Sequence, residues 1–376
     1  MYRKGFEVAA LAGAVLVLGW AGLETGLWAE RGQQPLPAAS GNGPGFRAIG
    51  PLAFAPDGTL FAADTQSAAI FALDLGSSAT GGAPGAKNVA AVDQKIAAIL
   101  GTEAREILVT DLAVHPKTRN AYISVMRGQG ADARPALLRI DGAGAIDVVR
   151  MEGMKFSRAE LPNAPQATPG ARRSPRTDSI TDMAFVDGRL LVAGLSNEEF
   201  ASKLRAISYP FAGVDNGTSV EIYHGNHGQF ETRSPVYTFV PYRLDGTPHL
   251  IAGYLCTPLV KFPLASLKAG AKVTGTTIAE LGNRNRPLDM IVYKKDGQEF
   301  LLMANNSRGV MKIPTASFTS AQGITSRVES ETGGVGFEPV AHMKGVEQLD
   351  LLDDTHTIVL ARGEGGVLNL EAVPLP

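Results

Sequence analysis

Short apolar runs separated by polar turns recur along this chain of 376 residues. One stretch, Asn285 to Ile313, reads NRPLDMIVYKKDGQEFLLMANNSRGVMKI. Its order is apolar strand, Asp-Gly turn, apolar strand, polar loop, and a third strand in which apolar and polar residues alternate. An Asp-Gly pair between two apolar runs is typical of a tight hairpin, because glycine tolerates a positive φ. The stretch therefore predicts three antiparallel strands.

The same pattern occurs six times, which indicates a repeat architecture. The other five units begin at Gly50, Thr110, Thr181, Val236 and Val346. Their starts are roughly 50 to 70 residues apart, the size of a propeller blade with its loops. We therefore predict an all-β fold, a six-bladed β-propeller with four-stranded antiparallel blades. A seven-bladed ring with one degenerate copy is the alternative.

The last unit lacks an evident fourth strand. We expect Phe46 to Ile49, just before the first unit, to supply it and to join both ends of the chain in one blade, since exposed sheet edges are unfavourable. Two segments interrupt the repeats. Residues 91–106 have apolar positions at helical spacing and predict a short helix outside the first blade. Residues 153–179, rich in proline, glycine and arginine, predict a long loop.

Composition agrees with a packed, turn-rich fold and excludes other classes. Hydrophobic residues make up 44% of the chain, and 43 glycines and 23 prolines indicate frequent turns. The formal net charge of −2 argues against a nucleic-acid partner, which requires a basic surface. The single cysteine, Cys256, excludes an internal disulfide.

The first residues have the pattern of an export signal. Arg3 and Lys4 precede an apolar run from Val8 to Leu23, about 16 residues, which is short for a membrane span of about 20. We divide the chain into a signal peptide or uncleaved N-terminal anchor (1–29), a linker (30–45) and a single propeller domain (46–376). The protein is thus expected to be periplasmic or secreted, with membrane contact only through an uncleaved N-terminal segment.

Polar residues in two kinds of loop are the candidates for a binding site. In a propeller, the loops that lead into the innermost strands and those that join the second and third strands meet on one face around the axis. Alignment of the units places there Asp64, Asp111, Asp182, Arg286, Asp289, Asn305, Asn306, Arg308, Glu347 and Arg362. Such a mixed ring of carboxylates, amides and guanidinium groups is suited to a polar ligand.

A structural role is the alternative for some of these residues. Asp111 and Asp182 precede a strand, where a carboxylate accepts hydrogen bonds from nearby backbone amides and stabilises the turn between blades. Arg286 and Asp289 could instead neutralise each other.

The phrases IGPLAFAPDGTLFAAD, from Ile49, and DMIVYKKDGQEFLLMANNSRGVMKI, from Asp289, resemble a known propeller superfamily. It comprises six-bladed propellers of the SMP-30/gluconolactonase, NHL-repeat and streptogramin-lyase type. Members include divalent-metal lactonases, lyases and binding modules, so the resemblance implies a fold rather than an activity.

The chain departs from the lactonase-like members at the metal ligand. These members begin the first blade with Glu-Gly-Pro, whose carboxylate binds the metal, whereas the triplet here is Ile49-Gly50-Pro51. A hard cation needs oxygen ligands, and only Asp64 matches a polar position of the family. The chain therefore resembles a divergent, non-catalytic member. Soluble PQQ-type sugar dehydrogenases share the phrase LAFAPDGTLFAAD, but no His and Arg constellation for that cofactor is evident.

The densest polar stretch, residues 221–233, holds two histidines. His224 and His227, with Glu221 and Glu231 nearby, are the weak candidates for a metal site. A glycine follows each histidine, Gly225 and Gly228, which favours a loop. The spacing fixes no third ligand, so a hydrogen-bonded outer loop is the alternative. For Cys256 no activating base is identifiable, and we expect a structural role.

These observations lead to a functional expectation with one alternative. We expect an exported β-propeller that binds a polar small molecule or an envelope protein on its axial face, without evident catalysis. The alternative is a lactonase-like hydrolase or lyase that uses an axial polar or divalent-metal site, so enzymatic activity stays open. No cofactor is predicted apart from that divalent metal ion.

Overall fold

The computed structural model describes residues 42–76, 82–168, 174–256 and 258–376. The predicted signal segment 1–29 lies outside these residues. The described part forms six sheets, and we number them as blades I to VI by the position of their innermost strand in the sequence. The predicted six-bladed β-propeller, built mostly of four-stranded antiparallel blades, is thereby confirmed. None of the described helices is long and apolar enough to cross a membrane.

The strands have the following bounds, with each blade given from its inner to its outer edge. Blade I consists of β1 (Leu52–Phe54), β2 (Leu60–Asp64), β3 (Ala69–Leu73) and β8 (Phe156–Glu160). Blade II consists of β4 (Ile107–Val114), β5 (Ala121–Arg127), β6 (Arg134–Ile140) and β7 (Ile146–Val148). Blade III consists of β9 (Asp182–Val186), β10 (Arg189–Leu195), β11 (Ser202–Ser208), β12 (Thr218–His224) and β13 (Gln229–Glu231).

Blade IV consists of β14 (Thr238–Leu244), β15 (Thr247–Gly253), β16 (Pro258–Pro263), β18 (Thr276–Leu281) and β22 (Thr332–Gly334). The short β17 (Lys272–Thr274) lies parallel to β12 of blade III. Blade V consists of β19 (Pro287–Lys295), β20 (Gln298–Asn305), β21 (Gly309–Pro314) and β23 (Glu338–Pro339). Blade VI consists of β24 (Val346–Leu351), β25 (His356–Arg362) and β26 (Leu368–Pro374).

The blades do not follow one another around the ring in sequence order. Blade II lies between blades I and VI, so the order around the ring is I, III, IV, V, VI, II. Apolar side chains fill the spaces between neighbouring blades. One cluster joins Leu60 of blade I to Tyr122 of blade II, and another joins Ile123 of blade II to Leu360 of blade VI. This burial between blades supplies the main stabilisation of the ring.

The unusual order arises because blade I is completed late. Its outer strand β8 follows blade II in the sequence and pairs with β3 from Ala69↔Glu160 to Leu73↔Phe156. The prediction of a loop throughout 153–179 is therefore wrong over β8. Phe156 and Ala159 of this strand are buried at blade I, and that burial was hidden in the sequence by the surrounding prolines and arginines.

The ring is closed at blade VI by a segment from near the start of the propeller. Val89 and Leu370 exchange two backbone hydrogen bonds of 2.8 and 3.0 Å, which adds a short outer edge to β26. The expectation that Phe46 to Ile49 closes the ring is wrong. That segment lies against blade I, where the backbone amides of Arg47 and Ala48 donate to the Asp64 carboxylate.

The predicted helix is confirmed over a shorter range, as α1 (Val92–Leu100). It follows Val89 directly and contacts β26 and β4, so it covers blades VI and II instead of blade I. Val92 and Ile96 are buried there. Short 3₁₀ turns lie at Ala104–Glu106, Gly130–Asp132, Pro175–Asp178, Leu264–Ser266, Thr315–Ser317 and Glu364–Gly366.

Four Asp-Gly pairs lie at turns, at 57–58, 187–188, 245–246 and 296–297, and in the last three both residues have a positive φ. The clearest is Asp296-Gly297, with φ values of 50° and 77°. This is the type I′ turn, whose twist matches that of the flanking strands. At Asp57-Gly58 only the glycine has a positive φ, 102°, so this turn belongs to another type.

Candidate functional site

The innermost strands bring one residue of each blade to the same level around the axis. These six positions form what we call the axial ring: Pro51, Asp182, Thr238, Asp289, Gln348 and Asp111, in order around the propeller. Hydrogen bonds show that these six positions are equivalent. Where the preceding blade has an aspartate in the ring, the residue after the ring position donates its backbone N–H to that aspartate. Leu52 donates to Asp111 at 2.6 Å, and Leu349 donates to Asp289 at 2.9 Å.

Each ring aspartate joins two blades through its carboxylate. Asp182 Oδ1 accepts from the backbone amide of Met183 in its own strand, and Oδ2 accepts from Phe239 of blade IV at 2.7 Å. Asp111 and Asp289 repeat this arrangement. The structural role proposed for Asp111 and Asp182 therefore applies to both and extends to Asp289.

A fourth aspartate, Asp350, lies two residues further along the inner strand of blade VI. It accepts from its neighbour Leu351 and from Val114 of blade II. Alignment of the units did not identify Asp350, because in blade VI the aspartate lies two residues further along the inner strand than in the other blades. All four aspartates point their interblade hydrogen bonds in the same direction around the ring.

The environment raises the pKa of all four carboxyl groups. Burial raises the pKa of Asp182 to about 7 and that of Asp350 to about 6, against the opposing effect of the backbone amides. Burial also raises the pKa of Asp111 and Asp289 well above the ordinary value, and the negative charges of neighbouring aspartates add to this effect. The ring therefore holds carboxyl protons at a pH at which free aspartate has lost them.

Gln348 lies between Asp111 and Asp289 and connects them. Its amide nitrogen is 3.0 Å from Asp111 Oδ1 and 3.0 Å from Asp289 Oδ2, in the orientation that satisfies both neighbours. A register shift precedes each of these three residues, between Val109 and Asp111, Pro287 and Asp289, and Val346 and Gln348. Such bulges re-aim a side chain, and here they bring three polar groups of adjacent blades together.

A cavity of about 1700 Å³ opens at the side of the propeller where the inner strands begin. Loops of blades I, II, III, V and VI line it, as predicted for the two kinds of loop, and Gln348 connects it with the axial ring. Its charged and polar lining includes Arg105, Asp178, Arg286, Asn306, Glu347 and Arg362. Several of the predicted site residues are thus brought together around one cavity.

Arg286 is the cation of this cavity that has no carboxylate partner among the described residues. Its guanidinium carbon lies 4.4 Å from the centre of the Tyr237 ring, which holds it by a cation–π contact. Asp289 does not neutralise it, since that carboxylate is bound to backbone amides and Gln348. Asn306 supports the loop, because its Oδ1 accepts the backbone amide of Arg286 at 2.7 Å.

Glu347 and Arg362 form a two-bonded ion pair at the rim of the same cavity. The distances are 2.6 Å from Nε and 2.8 Å from the terminal nitrogen, and Arg362 also donates to the Gly366 carbonyl. The pair is substantially exposed, so its contribution to stability is small. Its two charges cancel, which leaves Arg286 as the stronger attraction for an anion.

Three predicted site residues have their polar groups engaged by other parts of the protein or by their own loop. Asp64 is buried and accepts from the amides of Arg47, Ala48, Gln66 and Ser67 and from the Ser67 hydroxyl. Asn305 is buried and accepts from the amides of Ser307 and Arg308. Arg308 forms an ion pair of 3.0 Å with Glu331 and does not line the cavity.

Blade IV, which carries Cys256, contributes no described residue to the cavity lining. Cys256 is half-buried and has a φ of 60°, and its amide donates to the Asn285 carbonyl at 2.8 Å. Its position at a tight turn agrees with the structural role that the sequence indicated.

The two candidate histidines lie elsewhere, where the outer strands of blades III and IV meet. His224 ends β12, and His227 lies in the turn before β13. Glu231 Oε1 is 3.0 Å from His224 Nδ1 and 2.6 Å from His227 Nδ1. Glu280 of β18, fully buried, places Oε2 at 3.7 Å from His224 Nε2. We call these four residues the seam cluster.

Sequence reasoning named Glu231 as a neighbour of the histidines but missed Glu280. Glu280 is 56 positions after His224, in another blade, and no spacing signal connects the two. Burial raises the pKa of Glu280. Burial also acts on Glu231, but its hydrogen bonds with His224 and His227 outweigh that effect and lower its pKa.

The fold and the axial cavity define a six-bladed β-propeller with a polar central site. No protein-family model and no curated protein matches this chain. Distant matches exist among solved structures. A chain of the mitotic checkpoint complex is 10% identical, with 100% of this chain and 99% of that chain covered and a TM-score of 0.37.

The apo form of the soluble aldose sugar dehydrogenase from Escherichia coli is 11% identical, with 87% and 96% of the chains covered and a TM-score of 0.33. The PQQ-bound aldose sugar dehydrogenase from Streptomyces coelicolor is 12% identical, with 90% and 98% covered and a TM-score of 0.29. At this level of similarity the matches concern the propeller fold.

Proposed function

We propose that this chain is an exported propeller that binds a polar, anionic small molecule in its axial cavity. The observation that carries the proposal is Arg286, an exposed guanidinium held over Tyr237 without a carboxylate partner among the described residues. A ligand carboxylate or similar anion would pair with it in two-bonded geometry. The apolar run after Arg3 and Lys4 supports export.

The rest of the cavity favours a ligand with several hydroxyl groups. Amide side chains of the lining, among them Gln66, Gln129 and Asn306, can donate as well as accept a hydrogen bond. The volume of about 1700 Å³ exceeds that of a usual small-molecule pocket, about 300 to 1000 Å³. A sugar acid, or a short chain of such units, has the required charge and hydrogen-bonding groups.

Melting-temperature measurements with matched probes test this proposal. Glucuronate should raise the melting temperature of the full chain, and neutral glucose should raise it less. Arg286→Ala should abolish the difference between the two probes, whereas Arg233→Ala, the removal of an exposed arginine from a loop of blade III, should preserve it. Equal responses of Arg286→Ala and the unaltered chain would contradict the proposal, as would the absence of a shift with a wider panel of organic acids.

A lactonase-like hydrolase is the second candidate, favoured by the carboxyl group of Asp182. Burial raises its pKa to about 7, the range in which a general base works near neutral pH. Both oxygens are engaged by backbone amides, which opposes this role. Turnover on a lactone panel that Asp182→Asn removes, with the fold intact, would support hydrolysis. Absence of turnover on every lactone would leave ligand binding as the function.

A further inference from the structure

The seam cluster places three metal-binding side chains around one point. Ligand atoms of His224, His227 and Glu231 all lie within 4.8 Å of one another. The two imidazole rings are side by side, with centres 3.8 Å apart, and both direct Nδ1 at the same carboxylate oxygen. Ligands of a tetrahedral zinc ion are about 3.3 Å apart, given bonds of about 2.0 Å. The two distances from Glu231 Oε1 to the histidine nitrogens, 3.0 and 2.6 Å, need only a small expansion to admit the ion.

The second observation is a pair of buried atoms without partners. His224 is 1% exposed and Glu280 is 0% exposed, yet neither His224 Nε2 nor Glu280 Oε2 has a hydrogen-bond partner. They face each other at 3.7 Å, beyond a good hydrogen bond. Buried polar atoms are rarely left unpaired in native proteins, and a bound ion is one of the standard reasons for such a pair.

The hydrogen bonds made in the absence of a metal ion explain why His224 Nε2 and Glu280 Oε2 have no partner. When Nδ1 of neutral His224 donates to Glu231, Nε2 carries a lone pair, which then faces the Glu280 carboxylate. A cation bound at Nδ1 reverses the tautomer. Nε2 then carries the hydrogen and donates it to Glu280, the carboxylate–histidine–metal arrangement common at metal sites.

We propose that the seam cluster is a binding site for a first-row divalent transition-metal ion, with zinc as the best-fitting example. His224 Nδ1, His227 Nδ1 and Glu231 Oε1 supply the ligands, and Glu280 orients His224 from behind. Two imidazoles with a carboxylate suit zinc better than calcium or magnesium, which prefer oxygen ligands. The site lies at the blade III–IV seam and is independent of the axial proposal.

The backbone holds Glu280 in place for this role. Glu280 Oε1 accepts the amide of Gly225 at 2.6 Å. A Cβ at position 225 would lie 3.1 Å from that oxygen and less than 3.0 Å from Ile324 and Val328, so only glycine fits between the histidine strand and blade IV. The loop carrying Val328 is bound to the Gly225 carbonyl at 2.9 Å and covers the site.

Access and charge also fit a bound cation. His227 is 45% exposed at its side chain, so the ion can enter from solvent beside it and retain a water ligand. Two carboxylates and two neutral imidazoles carry a charge of −2 at most, which a divalent cation neutralises.

Zinc binding to the full chain, purified without a histidine tag and stripped with a chelator, tests the proposal. We expect one zinc per chain after re-addition and desalting, measured by elemental mass spectrometry. Competition with a chromophoric chelator should show at least tenfold weaker binding for His227→Ala, whose side chain is exposed enough to be removed without unfolding. Glu280→Gln should weaken binding about 10- to 100-fold, the range found for groups that orient a ligand.

The matched control is His342→Ala, which removes another exposed histidine. It should bind zinc as the unaltered chain does. Cobalt in place of zinc should give visible absorption bands that disappear in His227→Ala but not in the control. Less than stoichiometric zinc in the unaltered chain would overturn the proposal. Unchanged affinity in folded His227→Ala, judged by circular dichroism, would overturn it equally.

Discussion

The axial ring contains half-buried carboxyl groups and the seam cluster a fully buried one, and their hydrogen bonds are satisfied differently. In the ring, the oxygens of Asp111, Asp182 and Asp289 accept from backbone amides of two adjacent blades. In the seam cluster, Glu280 Oε2 and His224 Nε2 have no partner. The carboxylate oxygens of the ring are thus paired within the protein, whereas these two atoms of the seam cluster are not.

Carboxylates of the two regions therefore have different roles, although their chemistry is the same. A buried carboxylate with all its hydrogen bonds made by the backbone fixes the fold, whatever its position near a cavity. A buried carboxylate with an unused oxygen facing an unused imidazole nitrogen indicates a ligand. A ligand in the axial cavity would therefore depend more on Arg286 than on the ring aspartates.

The largest expected effect is that of Asp289→Ala. It removes the acceptor of the Leu349 and Met290 amides and one of the partners of Gln348. Each unpaired amide costs about 1 to 3 kcal/mol, and relief of repulsion with Asp111 returns part of this. We expect the free energy of unfolding at pH 6 to fall by about 3 kcal/mol in urea titrations.

The control for this change is Asp132→Ala, which alters an exposed aspartate in a surface turn. Its effect should stay within about 0.5 kcal/mol. An equally small effect of Asp289→Ala would show that the ring does not hold the blades together.

The next effect is a dependence of stability on pH. The folded pKa of Asp182, about 7, lies above its unfolded value of 3.8, so the folded state binds more protons between these values. Its contribution to stability is therefore full below about pH 4 and is lost as the pH rises through 7. Asp350, with a folded pKa of about 6, acts in the same direction.

Asp182→Asn isolates this contribution, because the amide resembles the protonated carboxyl group and does not titrate. We expect the variant to lose less stability than the unaltered chain between pH 5 and pH 8, by on the order of 2 kcal/mol after allowance for solvent screening. Urea titrations across this range measure the difference. Parallel curves for the two proteins would refute the raised pKa of Asp182.

A smaller effect, a gain in stability, is expected at the seam cluster. In the presence of a chelator, Glu280→Gln should stabilise the protein by about 1 kcal/mol, because the amide can donate to His224 Nε2 and still accept from Gly225. With excess zinc the order should reverse, since the variant binds the ion less tightly. Melting temperatures of both proteins in each condition decide this, and a loss of stability in chelator would contradict the assignment of unpaired atoms.

The smallest effect on stability is expected for Arg286→Ala. The side chain is exposed and has a single cation–π contact, with Tyr237, so the free energy of unfolding should change by about 0.5 kcal/mol. Binding of an organic acid, in contrast, should be lost. A large destabilisation in urea would show that Arg286 serves the fold and would remove it from the proposed site.

The sequence predicted the blades because each blade is a local pattern. Apolar alternation and Asp-Gly turns lie within a few residues of one another, as at Asp296-Gly297. The order of the blades could not be predicted in this way. Strand β8 and the residue Val89 find partners far along the chain, and a short strand near prolines carries no signal of which edge it joins.

The candidate site was predictable to the same extent. Aligned repeats placed Asp111, Asp182 and Asp289 near the axis, and the loop positions of Arg286 and Asn306 agree with the cavity lining. The hydrogen bonds that backbone amides donate to Asp64 and Asn305 could not be predicted, because a pattern of side chains does not show which amides lie near them. Glu280 could not be predicted because its partner His224 lies in another blade, and no local sequence pattern connects the two.

The position of blade II between blades I and VI has a consequence for how the chain folds as it is made. The edge of β3 stays open until residues 156–160 have been synthesised, and Val89 must wait for Leu370, near the end of the chain. Pairing over such sequence distances is slow, and open edges are sites of aggregation in the meantime. Assembly of the ring is therefore expected to finish only once the strand Leu368–Pro374 has been synthesised.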